Sequence, residues 1–331
     1  MWWGGGMRAV QVSTLEGPAA IQVVDVPAPD PSGRVLIDVA AAGVAFPDAL
    51  LTRGLYQIKP ELPFIPGSEV AGVVRSAPVG SGLAEGDRVA AFPMFGGFAE
   101  QVLTDPPLVF PLPDGVSFTS GAALPMNYLT AHFALTLRAG LRAGESVLVH
   151  GAGGGIGSAA TQLATALGAT VYAVASTPAK SDLARAAGAH EVLAADGFLE
   201  TVKELTGGRG VDVVVDPVGG DRFTDSVRAL APLGRLLVIG FTGGSIPEVK
   251  VNRLLLNNIS VVGVGWGAYW LGAGGRSYLR QQWDQLVPLL VSGAIDPPVG
   301  AIRSLEEAAL ALADLEQRRT NGKTVLAVTP R

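Results

Sequence analysis

The chain has 331 residues, with 24 Lys and Arg against 29 Asp and Glu and a net charge of −5. That mild acidity argues against a nucleic-acid binder, which needs clustered basic charge, and 48% hydrophobic against 16% charged residues argues against disorder. Cysteine is absent and the three histidines, His132, His150 and His190, are scattered, which excludes disulfides, Cys-ligated zinc, Fe–S clusters and a thiolate nucleophile, and disfavours a His-rich metal site.

The first six residues, Met-Trp-Trp-Gly-Gly-Gly, lack the basic and apolar regions of a signal peptide and read as a disordered extension or a misplaced start before Met7. Over residues 7–125 short apolar runs (Ala9–Val12, Ile21–Val26, Val35–Ala40, Arg88–Phe92) alternate with Pro and Gly clusters, which predicts a β-rich domain of many short strands. A helical period first appears over Ser120–Ala139.

From about residue 126 the pattern changes. Strands are predicted at Ser146–His150, Thr170–Ala175, Val192–Leu193, Val211–Asp216, Arg235–Phe241 and Ile259–Val264. Between them lie helical stretches at Ile156–Leu167, Lys180–Ala187, Phe198–Leu205 and Phe223–Leu230. Such alternation predicts an α/β domain with a six-stranded parallel sheet, doubly wound, over residues 126–264. Two more helices (Tyr278–Val291, containing Pro288, and Leu305–Glu316) and a strand (Lys323–Val328) fill residues 265–331. Periodicity does not say where this last segment packs. The most apolar stretch, Val261–Gly275, is interrupted by glycines and too short for a membrane span, so a soluble cytoplasmic protein is expected.

Chemistry enters at Val147-Leu-Val-His-Gly-Ala-Gly-Gly-Gly-Ile-Gly157, which follows a strand and opens a helix. Read as A-x-G-x-x-G, its key residues are Ala152, Gly154 and Gly157, with Gly155 and Ile156 completing the loop. Gly154 admits close approach of a pyrophosphate, Gly157 allows tight helix–strand packing, and the helix N-terminus offers free N–H groups. No Lys-Ser or Lys-Thr follows, so a P-loop is excluded. The next strand ends at Ala175-Ser176-Thr177 with no acid for a ribose 2′-OH. Ser176, Thr177 and Lys180 suit a 2′-phosphate instead, which favours NADPH. Ser176 or Thr177 also suits a helix cap ahead of Pro178.

These residues, together with Gly43-Val-Ala-Phe-Pro-Asp48, Arg53-Gly-Leu-Tyr56, Leu62-Pro-Phe-Ile-Pro-Gly-Ser-Glu-Val-Ala-Gly72, Gly86-Asp-Arg-Val89, Ala122-Ala-Leu-Pro125, Val215-Asp-Pro-Val-Gly219 and Asn321-Gly-Lys323, give the chain its likeness to a known family. It resembles the zinc-free quinone oxidoreductase group of the medium-chain dehydrogenase/reductase superfamily over essentially all of Met7–Pro330. The resemblance implies a GroES-like β-rich catalytic domain, a Rossmann domain, and a C-terminal segment returning to the first. In zinc-dependent relatives the places of Ala45 and Ser68 hold Cys and His; here neither is a good zinc ligand, and no metal is expected. The group commonly has Asn where this chain has Ala45, which cannot donate to a substrate carbonyl.

The resemblance also implies roles for single residues. Tyr56 lines the substrate cleft and is a candidate proton donor, or a half-buried β-domain aromatic. Thr130 lies beside the nicotinamide, with Asn127 and Tyr128 near the domain junction as candidate substrate or cofactor contacts. Gly240 and Phe241, then Val264 and Trp266, lie on the nicotinamide side. Trp266, Tyr269 and Trp270 form an apolar substrate wall, core packing or an oligomer seam. Arg318, or its neighbour Arg319, reaches a cofactor phosphate, and Lys323 meets the nicotinamide amide or ribose, or is solvated. Arg53 meets the cofactor or an acid. Asp48 and Glu69 read as structural carboxylates. The expected reaction is zinc-independent hydride transfer from NADPH to a quinone or similar conjugated carbonyl by a homodimer joined near Ile259–Val264. A 2-enoyl thioester or enone reductase and a non-catalytic NADPH-binding protein are the alternatives.

Overall fold

A computed structural model describes residues 6–328; of the six residues read as an extension, the first five lie outside the described residues, and Gly6 opens the first strand. The chain forms two compact units. The first comprises the chain up to Met126, Leu279–Trp283 and the chain from Pro297; the second comprises Asn127–Tyr278 and Asp284–Asp296. The segment from residue 265 is therefore divided between the two units rather than returning whole to the first.

The first unit is β-rich. Strands β1 (Gly6–Gln11) and β2 (Gln22–Pro27) form an antiparallel pair. A larger sheet is organised around β3 (Val35–Val44), which pairs antiparallel with β4 (Glu69–Ser76) and β6 (Gln101–Thr104), while β5 (Arg88–Ala91) and β7 (Val109–Pro111) extend it beyond β4. β3 is rich in Val, Ile and Ala because it is a central strand: Val35, Ile37, Val39 and Ala42 are all buried. The short helix α1 (Phe46–Thr52) follows it, with Pro47 in its first turn.

Six parallel strands build the second unit: β8 (Ser146–Val149), β9 (Thr170–Ala175), β10 (Glu191–Ala194), β11 (Val211–Asp216), β12 (Leu230–Val238) and β13 (Ser260–Gly263). Their spatial order is β10-β9-β8-β11-β12-β13, which is 3-2-1-4-5-6 in chain order. The order reverses between β8 and β11, and in such sheets ligands bind at the carboxyl ends of the strands beside that reversal. Val147, Leu148, Val149, Val213, Val214 and Val215 are fully buried in the two middle strands.

The last strands answer the question periodicity left open. β15 (Lys323–Ala327) pairs antiparallel with β3 and parallel with β14 (Val299–Ser304), so both strands belong to the first unit's sheet. Two expectations are corrected. The helical period over Ser120–Ala139 is broken into α2 (Phe118–Ala122), α3 (Pro125–Phe133) and a wider turn at Ala134–Arg138, because Pro125 lacks the N–H needed to continue a helix from before it. The helix at Phe223 stops at Arg228, and β12 runs from Leu230 to Val238 rather than from Arg235 to Phe241. Pro232-Leu233-Gly234 forms an irregularity inside that strand, with Leu233 at φ 64°, which hides its first half from a period-two reading. Among the described residues no helix is long and apolar enough to cross a membrane.

Candidate active site

In the second unit the glycine loop joins β8 to α4 (Gly155–Ala166), with Gly154 as an extended N-cap. Gly151 takes φ 60°, which glycine accepts without strain. The Ala152 N–H donates to the Val174 carbonyl at 3.1 Å and ties the loop to β9. Ala152 is buried, so alanine in place of the usual first glycine fits without opening the turn. Gly157 is the tightest position: a Cβ there would run into the Gly151 carbonyl oxygen and stand 2.7 Å from Ala152 Cα. Both obstacles are backbone, so nothing flexible can yield. Gly157→Ala is expected to lower the thermal midpoint and weaken dinucleotide binding about tenfold or more, through about 1–3 kcal/mol of overpacking in the loop; an unchanged midpoint and affinity would contradict that role.

Lys180 flanks the loop on the β9 side: a Cβ on Gly153 would meet its Cβ and Cγ at 2.5 and 2.6 Å. Helix α5 (Pro178–Ala186) begins just before it, and the Thr177 hydroxyl caps that helix by accepting from Lys180 N–H at 3.3 Å. Thr177 thus takes the capping role weighed for it, and Ser176 is exposed beside it.

His150, the last residue before the loop, is buried, and burial lowers its pKa to about 4. Ser226 Oγ donates to the Arg222 carbonyl at 3.0 Å, so the 2.8 Å contact between Ser226 Oγ and His150 Nε2 is a donation from the neutral imidazole. This locks the end of β8 to the helix Phe223–Arg228. No sequence signal marked this histidine beyond its place before the glycines.

Thr130 lies on α3 and is largely buried, as is Tyr128, whose hydroxyl donates to Gln162 Oε1 on α4 at 2.5 Å. Tyr128 therefore braces the helix behind the loop. Gly240 and Phe241 follow the end of β12, and Phe241 covers Gly219. Val264 and Trp266 follow β13 and are buried. Trp266 packs on Trp270 at 6.0 Å between ring centroids, and Tyr269 on Phe133 and Tyr278 at 5.1 Å each. Trp266 and Trp270 are buried and Tyr269 is half-buried, and these rings pack against one another and their neighbours within the second unit.

The first unit gathers a second group of residues. Asp48, in the first turn of α1, is fully buried. One of its carboxylate oxygens accepts from Ala45 N–H at 2.8 Å, the other from Gly67 N–H at 3.2 Å. A single side chain thus ties the stretch ending in Ala45 to the one leading into Ser68. Burial raises the Asp48 pKa to about 7, against the lowering effect of those hydrogen bonds and of Lys323. Since the unfolded chain releases this proton near the ordinary carboxylate value, the group favours folding most at low pH, and its contribution is lost as pH rises from about 4 to about 7. Asp48→Asn is expected to flatten the stability–pH curve in that window, measured by denaturant midpoints at several pH values; an unaltered slope would count against it.

Glu69 opens β4 and Lys323 opens β15, on either side of β3. Their side chains form an ion pair, and both residues are buried. The Glu69 side chain passes over Gly43 to reach its partner: a Cβ there would meet Glu69 Cγ at 2.8 Å. The other Glu69 oxygen accepts from Met126 N–H at 2.8 Å. Lys323 is therefore not solvated; its ammonium is paired with Glu69. Arg53 meets an acid, Glu316, through two bonds of 2.7 and 2.9 Å. Arg318 is exposed at φ 57° in the turn after the helix Ala308–Glu316, and Arg319 pairs with Asp314. Tyr56 is half-buried against the first unit's core. Burial and then the nearby Asp48 raise its pKa, so its phenol keeps its proton at neutral pH.

Comparison with known proteins joins these observations. The chain matches the alcohol dehydrogenase GroES-like domain over residues 31–114 and the zinc-binding dehydrogenase family over 155–292. Quinone oxidoreductase-like protein 2 of Bos taurus is 38% identical over 99% of this chain and 95% of its own. The chain belongs to the quinone oxidoreductase group of the medium-chain dehydrogenase/reductase superfamily. A probable oxidoreductase from Mycobacterium abscessus is 46% identical, with a TM-score of 0.89 over 98% of this chain and 99% of that one. A mycobacterial protein solved with NADPH is 34% identical, with a TM-score of 0.89 over 97% and 99%.

The wider superfamily includes zinc enzymes, so the donor set of this member matters. Ala45 has no donor atom, and Ser68 offers one neutral hydroxyl, buried and without a hydrogen-bond partner. The Asp48 and Glu69 carboxylates are committed to backbone N–H groups and to Lys323. Among the described residues no group of three His, Cys, Asp or Glu is placed to hold a metal. These residues do not fit a tetrahedral zinc site.

Proposed function

We propose that this oxidoreductase transfers hydride from NADPH to a quinone or a similar conjugated carbonyl, without zinc. One observation carries the reading: a chain with a dinucleotide loop has Ala45 and a neutral Ser68 hydroxyl at the places where zinc relatives hold ligands, and the Asp48 carboxylate beside them is committed to the Ala45 and Gly67 N–H groups. Without a Lewis acid to stabilise an alkoxide, alcohol oxidation is disfavoured. A quinone spreads the incoming negative charge over its own conjugated system and needs less help.

NADPH, when bound, supplies the hydride. Gly154, Gly155, Ile156 and the free N–H groups of α4 are suited to hold its diphosphate. Ser176 and Lys180 are suited to its 2′-phosphate, β9 ending without an acid that would repel it. The acceptor takes up one hydride and one proton, and Tyr56 or solvent gives the proton. Positioning and exclusion of water supply most of the rate. The NADPH-bound mycobacterial relative supports this choice of cofactor.

Steady-state NADPH oxidation with quinones, enones and crotonyl thioesters tests the reading. Turnover is expected with quinones above the thioesters. Preference for the thioester would favour an enoyl reductase, and no turnover despite tight NADPH binding would leave a binding protein. A cytoplasmic homodimer belongs to the same proposal: β13 is an edge strand of the parallel sheet, and Val251, Leu255 and Leu256 just before it are exposed. Gel filtration at the monomer mass would remove the dimer.

A further inference from the structure

Helix α4 begins at Gly155, and its first turn presents the N–H groups to which the dinucleotide reading assigns the diphosphate. The Asn127 side chain lies against that first residue. A Cβ on Gly155 would stand 2.5 Å from Asn127 Nδ2 and 3.0 Å from both Cγ and Oδ1, so the amide covers the glycine's Cα. Asn127 is 6% exposed, and its amide enters no hydrogen bond among the described residues. An amide with donors to spare, beside a helix N-terminus, is matched to an anion.

The other flank of the loop is taken. Lys180 stands against Gly153, on the side of β9, where the adenosine ribose of a dinucleotide lies. Asn127 comes instead from α3 and meets the loop two residues later. The glycine run thus has two packing reasons: Gly153 makes room for Lys180 and Gly155 for Asn127.

We propose that the Asn127 carboxamide is a ligand of the bound dinucleotide, donating from Nδ2 to the phosphate on its nicotinamide side. Thr130 follows on the same face of α3, one turn along. The proposal rests on the NADPH reading of the loop and extends it to a positioning residue outside the glycine motif.

The test is equilibrium binding, followed by NADPH fluorescence and by competition with adenosine 2′,5′-bisphosphate, which lacks the nicotinamide-side phosphate. Asn127→Ala is expected to weaken NADPH about tenfold, the scale of one hydrogen bond to a charged group. Asn127→Asp is expected to weaken it further, by repulsion. Both variants should bind the bisphosphate as the unmodified protein does. Gly155→Ala, whose Cβ displaces the amide while Asn127 remains, should give the same selective loss if the side-chain substitutions impair folding. Unchanged NADPH affinity in Asn127→Ala, or equal losses for NADPH and the bisphosphate, would overturn the proposal. Failure of quinone turnover does not touch a binding measurement, whereas no NADPH binding by the unmodified protein would overturn this proposal and the cofactor reading together.

Discussion

Lys323→Met is expected to lower folding stability by about 3–5 kcal/mol, the cost of leaving a buried partner charge uncompensated. Glu69 is fully buried, so water cannot take over from the lost ammonium. Glu69→Gln alone should cost a similar amount by stranding Lys323. The double variant Glu69→Gln/Lys323→Met should recover much of the loss: the glutamine oxygen still accepts from Met126 N–H, and the methionine fills the lysine's volume with apolar atoms. Urea denaturation of the three variants forms a double-mutant cycle. A double variant as unstable as the sum of the singles would mean that the two side chains act independently, contrary to their direct contact.

Ser176→Asp with Lys180→Ala should reduce the preference for NADPH over NADH by about 100-fold or more, since each change removes or opposes a charge-assisted contact of about 1.5–3 kcal/mol. The geometry makes this a clean experiment. Thr177 caps α5 through the backbone N–H of residue 180, so truncating the lysine leaves the cap intact. Alanine keeps the Cβ that packs on Gly153. Ser176 is exposed, and an aspartate there is accommodated without repacking. Titration of both cofactors into both proteins reads the outcome. Equal affinity of the unmodified protein for NADH and NADPH would refute the assignment of the 2′-phosphate to these residues.

Much of the second unit was legible in the chain. Val211–Asp216 and Thr170–Ala175 appear as strands at the predicted bounds, because strands covered by helices on both faces are nearly continuous apolar runs. β12 was misplaced because its early half contains Pro232, Leu233 and Gly234, which read as a turn and are an irregularity within a strand. Thr177 was legible as a cap from the following Pro178, a local relation needing no tertiary contact.

The first unit's group was less legible. Asp48 and Glu69 were assigned structural roles, and their hydrogen bonds agree, but their partners could not be named. The family resemblance makes Lys323 of Asn321-Gly-Lys323 a cofactor contact or a solvated side chain, and nothing beside it in sequence points to an acid partner. Its acid lies 254 residues away and is reached only because β15 and β4 flank β3 and Gly43 leaves the passage open. Arg53 was left between two partners for the same reason, Glu316 being 263 residues distant.

The sequence by itself determined the α/β alternation, the dinucleotide loop, the lack of an acid after β9 and the lack of metal ligands at Ala45 and Ser68. Each is a matter of residue type at fixed spacing along one segment, where local geometry leaves little choice. Only the tertiary structure decided which charges are buried together, that Trp266 and Trp270 pack inward, and that Asn127 lies on Gly155. Those outcomes depend on which distant segments the fold brings into contact, and burial, which sets the cost of each unpaired polar group, is a property of that packing and not of the local chain.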